Sequence, residues 1–228
     1  MKIGGFQKMT MLDFPERVAC TVFTYGCNLR CPFCHNATLV TDKAELFDED
    51  EILAYINKRK GVLDGVCITG GEPLLQRDIF DFMKKIKDLG LLVKLDTNGA
   101  YPDLLKRAID EGLVDYVAMD IKNSREKYAL TAGIEDLDIS PFEKSVEILK
   151  TSGIDYELRT TVVRELHELS DMKKIAEWIS GAKKYFLQSF VDSGNTIKTG
   201  YSAHDKNTLE AFRQAVLEHI PSAEIRGI

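Results

Sequence analysis

Long apolar runs are missing from this sequence: no stretch of its 228 residues approaches the roughly 20 consecutive apolar residues of a membrane span. The opening MKIGGFQKMT has no apolar core of the kind a secretory signal carries, so a cytoplasmic location and no membrane partner are expected. Surplus positive charge is missing too. Lys and Arg number 30 against 36 Asp and Glu, and the net charge of -6 argues against a broad nucleic-acid footprint. The short basic runs at Lys58, Arg59 and Lys60 and at Lys84, Lys85 and Lys87 lie in helical patterns and read as solvated faces. Cysteine is scarce and odd in number, five in all, which excludes a disulfide framework and leaves reduced thiols for other chemistry. No low-complexity linker or block of like charge interrupts the chain.

What is present is an alternation of short apolar runs with amphipathic stretches, the pattern of repeated βα units on a parallel sheet. Strands are predicted near 18–24, 64–69, 91–96, 114–121, 155–163 and 184–190. Between them, apolar residues recur at helical period: Ile52, Tyr55 and Ile56; Ile79, Phe82, Met83 and Ile86; Leu104, Leu105 and Ala108; Phe142, Val146 and Leu149; Met172, Ile175 and Ile179. Asp48 followed by Glu51 reads as a helix start, and Gly90, Gly112 and Gly153 fall where helices end. Six such units favour an α/β fold in one domain, 1–228, shaped as an open, partial (βα)6 barrel, with a doubly wound open sheet as the rival. Residues 1–17 precede the barrel of 18–190, and a polar rim loop at 191–204 leads to a final helix carrying Leu209, Phe212, Val216 and Ile220 on one face.

On this map the chemically costly residues converge. Cys27, Cys31 and Cys34 lie in the loop leaving the first predicted strand; Gly70, Gly71, Glu72 and Pro73 leave the second; Asp96, Thr97, Asn98 and Gly99 leave the third; Asp120 and Lys122 end the fourth. A glycine pair or a TNG alone is an ordinary turn, but four consecutive strand ends form the mouth where such folds build sites. Three thiolates at i, i+4 and i+7 can hold three irons of a cubane and leave the fourth open. The alternative is structural zinc, with His35 as the fourth ligand. Arg159, a charge inside a mostly apolar strand, needs an anionic partner. Cys20 and Cys67 read as core filling, and His167 and His219 as surface residues.

The motif CNLRCPFC, followed in order by GGEP, DTNG and DIK, resembles the radical S-adenosylmethionine (SAM) enzymes, and among them the glycyl-radical-enzyme activases. The resemblance runs from about residue 3 to 190. It implies a 4Fe-4S cluster on Cys27, Cys31 and Cys34 whose fourth ligand is SAM. Phe33 would line the adenine pocket, and Gly70, Gly71 and Glu72 would meet the SAM ammonium, with Asn98, Lys122 and Arg159 also binding cofactor. Asp96, Thr97 and Asp120 resemble a monovalent cation site. The N-terminal segment, RTTVV and YFLQSF are similar to activases of anaerobic ribonucleoside-triphosphate reductase. The implied partners are that glycyl-radical enzyme and a flavodoxin or ferredoxin as electron donor. Pyruvate formate-lyase activases share the same motifs, and small-molecule radical SAM enzymes such as 7-carboxy-7-deazaguanine synthase form the alternative class. The sequence departs from the pyruvate formate-lyase activases in having no histidine after the sixth strand until His204, and only Cys20 and Cys67 remain beyond the motif, too few for a second cluster. The 191–204 loop is expected to move aside for a protein partner.

Overall fold

The computed structural model describes residues 1–41 and 44–228. Eight strands follow in chain order in a mostly parallel sheet. They are β1 (Ile3–Thr10), β2 (Ala19–Thr24), β3 (Gly65–Gly70), β4 (Leu92–Thr97), β5 (Tyr116–Asp120), β6 (Asp155–Val162), β7 (Tyr185–Ser189) and β8 (Ala223–Arg226). The α/β class expected from the sequence holds, and β2 to β7 stand where six strands were expected.

The count is corrected at both ends. Residues 3–10 were expected only to precede the barrel, yet they form β1, antiparallel to β2 with Ile3 opposite Thr24 and Thr10 opposite Ala19. Its sequence, IGGFQKMT, gives a weak signal because only its two end residues are buried, and register shifts break its pairing twice. Such irregularity, with a lysine at the edge, is how outer strands discourage pairing with other chains. At the other end β8, four residues long, pairs parallel to β7.

Two compact units divide the chain: Met1–Asn28 with Thr38–Ala118, and Leu29–Ala37 with Met119–Ile228. In the first, β2 and β3 pair in parallel from Ala19 opposite Gly65 to Thr24 opposite Gly70, and β3 pairs with β4 from Gly65 opposite Leu92. Helices α1 (Ala37–Val40), α2 (Glu49–Arg59), α3 (Ile79–Asp88) and α4 (Pro102–Asp110) follow the predicted periods, apart from the short α1. Asp48 caps α2 by accepting from the Asp50 and Glu51 N–H groups. Helix α3 buries Ile79, Phe82, Met83 and Ile86 completely, each burial contributing about 1.5–3 kcal/mol relative to exposure.

In the second unit β6 pairs in parallel with β7, Arg159 opposite Phe186. Helices α5 (Tyr128–Ala132), α6 (Ser140–Thr151), α7 (Leu169–Trp178) and α8 (Lys206–Leu217) bury Phe142, Val146 and Leu149 from α6, Met172 and Ile175 from α7, and Leu209, Phe212 and Val216 from α8. Gly90, Gly112 and Gly153 follow helix ends at positive φ, as their positions in the sequence suggested. Among the described residues no helix is long and apolar enough to cross a membrane.

Candidate functional site

In the first unit, the turn after β3 is stitched to the chain running from β2 into Cys27. Gly71 N–H donates to the Thr24 carbonyl and Glu72 N–H to the Gly26 carbonyl, both at 2.9 Å. A Cβ on Gly71 would stand 1.9 Å from the Gly26 oxygen, so only glycine permits this approach. Gly70, at φ 112°, is equally constrained: its Cβ would lie 2.4 Å from the Thr24 nitrogen.

Glu72 is fully buried and joins two of the predicted motifs. Its Oε1 accepts from the Leu74 N–H at 3.1 Å and the Thr97 hydroxyl at 2.8 Å, and its Oε2 accepts from the Asn98 N–H at 2.7 Å. The carboxylate expected to face an ammonium group thus ties the GGEP turn to the DTNG turn. Asn98 extends the connection: its side-chain amide donates to Asn28 Oδ1 at 2.9 Å and points at Cys27 Sγ from 3.8 Å, while its Oδ1 accepts from the Ala100 N–H. Asn28, which the sequence did not single out, therefore helps orient the first cysteine.

Asp96 is paired with the ammonium of Lys94, a residue the sequence reading passed over as part of a strand. Lys94 is 2% exposed, and its Nζ also stands 3.8 Å from Cys67 Sγ. The alternation of a strand could have revealed the pair, since residues two apart share a face. Cys67 is buried as expected, but beside charges.

In the second unit, Cys31 and Cys34 sit on a turn closed by the Cys34 N–H to the Cys31 carbonyl at 3.1 Å. Arg30 N–H donates to the Ala132 carbonyl, and a Cβ on Gly133 would stand 2.1 Å from the Arg30 oxygen, so this loop rests directly on the end of α5. Phe33 is buried edge-on against Phe190 and Tyr201, both centroids at 6.4 Å. His35 stacks on Phe190 at 5.1 Å, and its Nε2 is buried with no hydrogen-bond partner among the described residues. The rim segment reaches this loop as well: Lys198 N–H donates to the Pro32 carbonyl at 2.8 Å, and Ser202 is anchored to Glu165 through both its N–H and its hydroxyl.

Asp120 accepts from Arg159 Nε at 2.6 Å and from Lys122 Nζ at 2.9 Å, which supplies the anionic partner Arg159 required. Burial pushes the Asp120 carboxyl up, but Arg159 and Lys122 together hold it well below the usual carboxylate range. Lys122 is driven the opposite way, its ammonium reinforced by Asp120 and Cys31 against the cost of burial. Burial pushes the Cys31 thiol up to about 11 and raises Cys34, with the charge of Lys122 opposing in both cases. The backbone of Lys122 is itself held: its carbonyl accepts from His167 Nε2 at 2.8 Å, while His167 Nδ1 accepts from the Val163 N–H at 3.0 Å. His167 is fully buried, so its reading as a surface residue is corrected. Its polar character misled, because the two backbone groups its ring bonds, the Lys122 carbonyl and the Val163 N–H, come from a distant and a folded-back segment.

None of the five cysteines is in a disulfide. Among the described residues, no three His, Cys, Asp or Glu side chains already stand arranged around one ion. The donor chemistry nevertheless fits an iron-sulfur group: three thiols on one short loop, an amide aimed at the first and a lysine charge favouring the thiolate of the others. The residues proposed for a monovalent cation fit less well. Asp96 holds Lys94, Asp120 holds Arg159 and Lys122, and the Thr97 hydroxyl donates to Glu72.

The Radical SAM superfamily model matches residues 21–179. A Methanocaldococcus jannaschii protein named "Putative glycyl-radical enzyme activating enzyme" is 30% identical over 192 residues, covering 82% of this chain and 79% of its own length. The pyruvate formate-lyase-activating enzyme of Clostridium pasteurianum is 28% identical over 194 residues, covering 80% and 77%. Among solved structures, a domain of the pyruvate-formate lyase-activating enzyme from Bacteroides vulgatus superposes with a TM-score of 0.59 at 18% identity, over 72% of this chain and 99% of that one. Streptococcus suis SuiB bound to S-adenosylmethionine gives a TM-score of 0.69 at 13% identity, over 89% and 48%. At these identities the structural likeness bears on the fold alone.

Proposed function

This chain belongs to the radical SAM superfamily, and we propose that within it the protein is a glycyl-radical-enzyme activase whose substrate is a glycine of an anaerobic ribonucleoside-triphosphate reductase. The observation that carries the reading is the set of three cysteines outside any disulfide, Cys27, Cys31 and Cys34, on one loop, with a positive charge at Lys122 acting on the last two. When bound, a 4Fe-4S cluster supplies one electron to SAM, giving methionine and a 5'-deoxyadenosyl radical that can take a hydrogen atom from glycine and leave as 5'-deoxyadenosine.

The chain's own residues prepare for this chemistry. Lys122 lowers the cost of thiolate formation at Cys31 and Cys34, while Asp120 fixes Lys122 and Arg159 as a cationic pair. Asn98 offers an N–H to the sulfur of Cys27, a contact that orients a ligand thiolate and moderates its charge. Phe33, held by Phe190 and Tyr201, presents an aromatic wall suited to a purine. The orphaned Nε2 of His35 is a buried polar atom whose partner a bound cofactor could provide.

The target assignment rests on the N-terminal segment with RTTVV and YFLQSF, and the electron donor implied is a flavodoxin or ferredoxin. Pyruvate formate-lyase is the competing target, favoured by the relative that carries that activase's name. The test uses protein reconstituted with iron and sulfide without oxygen, reduced and given SAM, with each candidate partner in turn. A SAM-shifted cluster resonance followed by a glycyl radical on the reductase is the expected result. A radical on pyruvate formate-lyase alone would reassign the target, and SAM cleavage with neither partner activated would direct the search to small molecules.

A further inference from the structure

We propose that Lys94 is a built-in counter-cation for Asp96, so that this end of the site works without a monovalent metal ion. The inference rests on the radical SAM reading of the DTNG turn and goes beyond it by assigning the charge balance there to a side chain. Lys94 and Asp96 lie two residues apart on β4 and so share a face. Lys94 is 2% exposed and the Asp96 side chain 11%, and the two form an ion pair largely shielded from solvent. On the neighbouring strand Cys67 lies opposite Lys94 in register, its Sγ 3.8 Å from both the Lys94 ammonium and Asp96 Oδ1.

A buried ammonium stays charged only beside a negative group, and a buried carboxylate only beside a positive one. The two satisfy each other, leaving Asp96 with no net charge to offer. A potassium or sodium ion binding at Asp96 would have to displace the ammonium and strand it in a buried position, while giving up its own water. Thr97 gives no alternative foothold, since its hydroxyl donates to Glu72 and accepts from the Gly99 N–H at 3.1 Å. The fixed ammonium therefore takes the place a diffusible cation would hold, and Lys94 acts as a positioning residue that keeps Asp96 oriented.

The holoprotein is compared in chloride salts of potassium, sodium and tetramethylammonium at equal ionic strength. Two quantities are read: SAM affinity from the SAM-induced shift of the reduced cluster resonance, and the thermal midpoint. For the wild type, SAM affinity is expected to agree within about twofold across the three salts, with no potassium-specific rise in midpoint. Lys94→Met uncovers the Asp96 carboxylate, so it should bind SAM about tenfold more tightly in potassium than in tetramethylammonium and melt higher in potassium. A wild type that needs potassium or sodium for tight SAM binding, or that is stabilised specifically by either, overturns the proposal; so does a folded Lys94→Met that ignores the salt. If Lys94→Met does not fold, the wild-type comparison decides alone. Absence of any SAM-induced shift in all three salts would defeat the activase reading, and the thermal midpoints would still decide the role of Lys94.

Discussion

The surroundings of Cys27 and those of Cys31 and Cys34 are fixed by different forces. Around Cys27 the backbone does most of the holding: two turns and a strand end exchange N–H and carbonyl groups, with Glu72 gathering three donors at their junction and glycine permitting contact where no Cβ fits. Around Cys31 and Cys34 backbone bonds and a close glycine contact are joined by side chains: a carboxylate between two cations, and aromatic rings packed edge to face. The first arrangement depends on turn residues and on one buried carboxylate. The second places positive charge near thiols that burial keeps protonated, partly opposing that burial, and it answers to pH.

The largest expected effect comes from the proposed cluster ligands. Cys31→Ala should lose the cluster and abolish SAM cleavage while the sheet stays folded, measured by iron content, 5'-deoxyadenosine formation and circular dichroism. A reducible cluster with normal cleavage would show that the ligands are others.

Glu72→Ala tests the backbone-held region. It strands the Leu74 and Asn98 N–H groups and the Thr97 hydroxyl in a buried position, and should cost about 3 kcal/mol in urea unfolding. A loss no larger than that of an exposed substitution would mean that the junction is not structural.

Asp120→Asn tests the charge-held region, and because its side chain keeps some contact with solvent the expected cost is smaller, about 2 kcal/mol. The effect should also depend on pH. The folded-state carboxyl is held below its unfolded value of about 3.9, so its contribution is complete above that pH and fades as the pH falls further. Wild-type unfolding should therefore show an acid-side loss that Asp120→Asn partly removes; parallel profiles would contradict the assignment.

The smallest effect is expected at His167, whose buried ring is pushed towards the neutral form. With the folded-state value lowered, its stabilising contribution is whole above the unfolded value of about 6.5 and declines as the pH drops from there. His167→Gln should flatten the stability profile between neutral and mildly acidic pH, and an unchanged slope would remove His167 from the account.

Much of this was readable along the chain. The parallel strands announced themselves by apolar runs, the helices by their period, and the helix ends by Gly90, Gly112 and Gly153, because each signal is local. The outer strands β1 and β8 were not readable: one is half exposed and irregular, the other four residues long, and neither carries an alternating core pattern. His167 was misread as a surface group because its partners are set by the fold; Lys94 was passed over although it shares a strand face with Asp96, and Asn28 because nothing in its local pattern marks it.

By itself the sequence determined the spacing of Cys27, Cys31 and Cys34, the order of the turns that follow and the α/β class, since spacing and hydrophobic period are properties of neighbours along the chain. Only tertiary structure decided that Glu72 serves two turns, that Asp120 answers Arg159, and that Cys67 of the neighbouring strand stands against the Lys94–Asp96 pair. Those outcomes depend on which faces of separate strands are brought together and closed off from water, and a buried charge has no meaning until its surroundings are built.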